Sequence, residues 1–72
     1  MSTPVAASIY ESLAGAYWSV AHHERAIAER CRKAGANLLA LDHQGSAARA
    51  EILARDAEDS ARQLWANPSE AT

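Results

Sequence analysis

The sequence predicts an all-α chain folded as an antiparallel helical hairpin. Three observations carry that reading. Prolines occur only near the two ends, at Pro4 and Pro68. The residues between them are dominated by Ala, Leu, Arg and Glu, all strong helix formers. Apolar residues recur at spacings of three, four and seven, and no strand-like alternation interrupts them.

The first helix starts at Thr3-Pro4, a hydroxyl cap followed by a ring whose φ already suits a first turn. From there Ala6, Leu13, Val20, Ile27, Ala34 and Leu41 fall every seven residues. Tyr10, Tyr17, Glu24, Cys31 and Leu38 interleave with them, so a heptad seam runs to Leu41 and predicts one helix over about residues 4–42. Beside this seam lies a column of very small residues: Ala7, Ala14, Ala21, Ala28 and Gly35. Small side chains at heptad spacing let a neighbouring backbone come close. The opposite side, with Glu11, Ser12, Ser19, His22, Arg25, Glu29, Arg32 and Lys33, reads as solvated.

Asp42-His43-Gln44-Gly45-Ser46 predicts the turn, over 43–46: Gly45 suits a helix stop and Ser46 a cap. The second helix then covers about 47–66, with Ala47, Ala50, Ala54, Ala57, Ala61 and Leu64 inward and Leu53 and Ser60 alongside. Asn67-Pro68 stops it and leaves a flexible tail at 67–72. Gly35-Ala36-Asn37 is the competing break, and Gly15 a weaker one. The unbroken heptad frame through Leu38 and Leu41 favours a continuous first helix.

These boundaries leave the helices unequal, about 58 Å and about 30 Å at 1.5 Å per residue. The shorter helix then leaves the start of the longer one uncovered. That segment carries Val5, Ile9, Tyr10, Leu13, Tyr17, Trp18 and Val20, and an apolar stretch of this size marks a partner interface. Composition points the same way. The hydrophobic class is 49% of 72 residues, but 18 of its members are alanine. A single domain over 1–72 with so few large apolar side chains struggles to fold unaided, and its one cysteine forms no internal disulfide. A second copy completing a four-helix bundle, or another protein, would supply the missing cover.

Chemistry-bearing constellations are sparse. There is no phosphate-binding glycine loop, nucleophile set or cofactor motif, so the chain is expected to be non-enzymatic and free of cofactors. His22-His23-Glu24 is the densest ligand cluster, but neither histidine has a carboxylate, histidine or cysteine at the i+3 or i+4 offsets that share a helix face. Glu24, with His23 beside it, reads instead as a register-setting polar position. Cys31, flanked by Arg30 and Arg32, reads as a small buried thiol. Arg25, Arg30, Arg32 and Lys33 form a modest basic patch. A nucleic-acid-associated regulator is therefore a secondary reading, weakened by a net charge of −2. A metal or redox bundle assembled across a dimer is a third.

No apolar run is long enough to span a bilayer, and the first residues lack a basic-then-apolar secretory leader, so a cytoplasmic protein is expected. The excess of Arg over Lys and the many alanines suggest a bacterial or phage source. The leading expectation is an interaction module: a helical adaptor, co-chaperone or regulator that pairs with itself or with another protein.

Overall fold

The computed structural model describes residues 2–67. They form two helices of nearly equal length, α1 (Thr3–Lys33) and α2 (Asn37–Ala66). The helices fold back on each other as an antiparallel hairpin, 52 Å long and 13 Å across in both other directions between Cα atoms. No strand occurs among the described residues, and none of their helices is long and apolar enough to cross a membrane.

The cap of α1 is Ser2 rather than Thr3. Its Oγ accepts the Val5 N–H at 3.4 Å, and Pro4 lies in the first turn, where a missing N–H leaves no helix bond unmade. Arg30, Arg32 and Lys33 occupy the last turn, where positive charge suits the carbonyl end of the helix dipole. The helix stops at Gly35, whose φ of +82° is the only positive value among the described residues. The Gly35 N–H donates to the Arg32 carbonyl at 3.0 Å, and the Ala36 N–H donates to the Cys31 carbonyl at 2.8 Å. These two bonds are the Schellman pattern that satisfies terminal carbonyls and needs a left-handed residue at that point.

The division into helices at 4–42 and 47–66, with a turn at 43–46, is therefore overturned. Residues 43–46 lie inside α2, and Gly45 is helical there. A turn at Gly35 leaves helices of 31 and 30 residues, so each is covered from end to end by the other. A turn at 43–46 would leave half of α1 with no neighbour. The length mismatch goes with it: α2 runs beside the start of α1. The heptad continuity through Leu38 and Leu41 is coincidental, since both sit on outer sides of α2, 81% and 60% exposed. The stop of α2 after Ala66, with Asn67 as its cap, agrees with the expected boundary, whereas Pro68 and the tail fall outside the described residues.

The core is made of alanine. Ala7, Ala14, Ala21 and Ala28 of α1 are buried, as are Ala40, Ala47, Ala50, Ala54, Ala57 and Ala61 of α2. No large side chain is fully buried among the described residues. Register is fixed by cross-helix bonds from Trp65 to Glu11, Trp18 to Glu58 and Arg25 to Glu51, so seven residues up α1 match seven down α2. With the two helices meeting at the Gly35 turn, residues whose numbers sum to about 70 stand level, so the four α1 alanines lie near the levels of Ala61, Ala54, Ala47 and Ala40. The column of small residues is thus the helix–helix seam, and the column of Leu13, Val20 and Ile27 is displaced beside it. Side chains this small let two backbones approach closely, trading area per residue for dispersion contacts.

Candidate interaction surface

The alanine seam divides the hairpin into two broad faces of opposite character. On one, Glu11, Trp18, Arg25 and Arg32 recur every seven residues along α1, and Gln44, Glu51, Glu58 and Trp65 recur every seven along α2. The Trp65 indole N–H donates to Glu11 Oε1 at 3.3 Å, and the Trp18 indole N–H donates to Glu58 Oε2 at 3.1 Å. Arg55 lies over the Trp18 ring, 5.7 Å from its centroid, and Arg25 pairs with Glu51. Solvent-accessible pairs such as Arg25–Glu51 are worth about 1 kcal/mol or less each. Their heptad spacing makes this face a polar ladder that holds the two helices in register.

The other face is apolar. Next to the seam, α1 presents Tyr10, Tyr17, Glu24 and Cys31, and α2 presents Ala36, His43, Ala50, Ala57 and Leu64. Outside these lie Leu13, Val20 and Ile27 on α1, and Leu39, Ser46, Leu53 and Ser60 on α2. Leu13, Val20, Leu39 and Leu53 are 41%, 48%, 50% and 46% exposed. Tyr17, Ile27, Cys31 and Leu64 are half-buried. The face contains one ionisable pair: His43 Nδ1 lies 2.6 Å from Glu24 Oε2, both side chains largely shielded. A face of adjacent large apolar side chains on two rigid helices can do one thing chemically, which is to exclude water against a matching surface.

The residues expected at a partner interface are dispersed over the molecule. Tyr10, Leu13, Tyr17 and Val20 lie on the apolar face, Ile9 at its rim and Val5 on the outer side of α1. Trp18 belongs to the polar ladder, half-buried and bonded to Glu58. Glu24 is on the apolar face, whereas His23 points outward and is exposed. Ile27, Leu39, Leu53 and His43 complete the face and are absent from the sequence-level interface. Their signal was present: His43, Ala50, Ala57 and Leu64 share a heptad column, as do Leu39, Ser46, Leu53 and Ser60. A misplaced turn hid both columns.

Two of the four basic residues are paired. Arg25 is paired with Glu51 and Arg32 with Glu29, while Arg30 and Lys33 close the end of α1. A shallow pocket between Arg25, Ala28, Glu29, Arg32 and Gln44 is lined by charges of both signs. No group of three or more His, Cys, Asp and Glu side chains able to hold a metal ion occurs among the described residues. No protein-family model, curated protein or solved structure matches the chain.

Proposed function

We propose that the chain is an association module that binds rather than catalyses, and that its working surface is the apolar face built around Leu13, Val20, Leu39 and Leu53. One observation carries this reading: among the described residues only alanines are buried between the helices, while Leu13, Val20, Leu39 and Leu53 stay 41–50% exposed side by side on one face. Burying an alanine methyl gains about 0.8 kcal/mol, and a Leu, Ile or Val about 1.5–3 kcal/mol. A substantial share of the burial energy the sequence can supply is therefore realised only when another surface covers this face. A second hairpin laid there, its own or another protein's, completes a four-helix bundle. The polar ladder on the opposite side suits a surface that stays in water.

The test compares two variants for association, either with itself or with a protein retained from the host extract. Val20→Asp/Leu53→Asp places two charges on the apolar face, and Ala48→Asp places one on an exposed position of α2 outside it. Association is expected to vanish in the first and persist in the second. Association that survives Val20→Asp/Leu53→Asp unchanged would overturn the reading.

A further inference from the structure

We infer that the occupant of the apolar face is a second copy of this chain, related by a twofold axis parallel to the helices, with both turns at the same end of the bundle. This rests on the association reading and adds the identity and orientation of the partner.

The first argument is area. The chain exposes 4884 Å², whereas a compact monomer of its mass exposes about 4300 Å². The face extends along a hairpin 52 Å long and 13 Å wide between Cα atoms, on the order of 700 Å² per copy, close to the share each partner contributes to a standard stable interface.

The second argument is shape. Along the two columns next to the seam, bulk and smallness lie on different helices. Tyr10 and Tyr17 belong to α1, and Ala57 and Ala50 stand level with them on α2. Rotation by 180° about an axis parallel to the helices lays each α1 over the other copy's α2. The tyrosines then meet alanines, and the spacing between helices is even. The alternative twofold, with turns at opposite ends, stacks Tyr17 on Tyr17 and Ala50 on Ala50, which wedges one side of the bundle open.

The third argument is polarity. Glu24 and His43 are level with each other, so the same rotation brings both pairs into one layer and leaves every other layer apolar at its centre. A single polar layer inside an apolar interface is the arrangement by which helical bundles fix register. At the rim, exposed Arg30 on α1 and exposed Asp42 on α2 lie toward the same end, and the rotation sets each Arg30 beside the other copy's Asp42.

The purified chain is expected to sediment as twice 7.7 kDa at micromolar concentration. In a Cys31→Ala background, Asn37→Cys spin labels at the turn are expected within about 30 Å of each other, since neighbouring helices pack about 10 Å apart. Labels separated by nearly the 52 Å bundle length would overturn the orientation. A helical monomer at millimolar concentration would overturn the second copy as occupant. It would leave the association reading standing if Val20→Asp/Leu53→Asp still abolished binding to a protein from the host extract. Glu24→Leu alone should weaken the dimer tenfold or more by leaving His43 unpaired, and Glu24→Leu/His43→Leu should recover most of it. Equal affinity in wild type and Glu24→Leu would overturn the placement of this pair at the interface.

Discussion

Three glycines in this chain have two different roles. At Gly35 the backbone has φ +82°, where an L side chain is strained although nothing lies within 4 Å of the site a Cβ would take. Gly15 and Gly45 are ordinary helical positions; a Cβ meets nothing at Gly15 and only the end of the Arg49 side chain, at 3.5 Å, at Gly45. Gly35→Ala should therefore destabilise by about 1 kcal/mol, while Gly15→Ala and Gly45→Ala should each stabilise by about 0.5–1 kcal/mol. Thermal unfolding followed by circular dichroism checks the signs. Equal effects at Gly35 and Gly45 would contradict the position of the turn. The seam residues obey a different constraint. Ala47 and Ala54 are fully enclosed, so Ala54→Leu should cost about 1–3 kcal/mol by forcing the backbones apart, read as a fall in the urea midpoint. A stabilised Ala54→Leu would mean that the helices do not pack along this column.

At the scale of the element, the contest between local propensity and tertiary packing is decided in α2. Asp42–Ser46 holds Asp, His, Gln, Gly and Ser in succession, a run with poor helix propensity that reads in isolation as a turn. It is helical because Ala40 and Ala47 on either side dock against α1 and because His43 meets Glu24. This stretch should exchange its amide hydrogens faster than Ala50–Ala61, which hydrogen exchange resolved by residue would show. Uniform protection through both stretches would contradict the account. The all-α class, the hairpin, the end of α2 and its inward alanines were legible in the sequence, because helix formers and heptad spacing are local signals. The position of the turn was not, because Gly35 and Gly45 are both followed by plausible restarts. What separates them is a non-local fact, namely which choice gives each alanine of the α1 column a counterpart on α2. Half of the apolar face followed from the α1 pattern alone. The other half, Leu39, Leu53 and His43, needed the register.

For the whole molecule, an alanine-lined seam makes a thin rod with little apolar area inside and much outside. Stability of such a rod is coupled to whatever covers it, so the melting temperature should rise with protein concentration, by mass action on a folded dimer. A melting temperature constant over a hundredfold dilution in the micromolar range would separate folding from self-association. The polar ladder contributes specificity of alignment more than energy, since every one of its pairs keeps at least one partner in contact with water. A rod with one polar-laddered face and one apolar face thus has a built-in direction.

Because α1 and α2 match in length, residues 2 and 67 emerge from one pole and Gly35 caps the other. Cargo fused beside either of those residues would cluster at a common pole, four attachment points in a paired rod, while the glycine pole stays bare. A guest loop spliced next to Gly35 would project away from that cluster, giving a bivalent display strut whose two poles can be decorated independently.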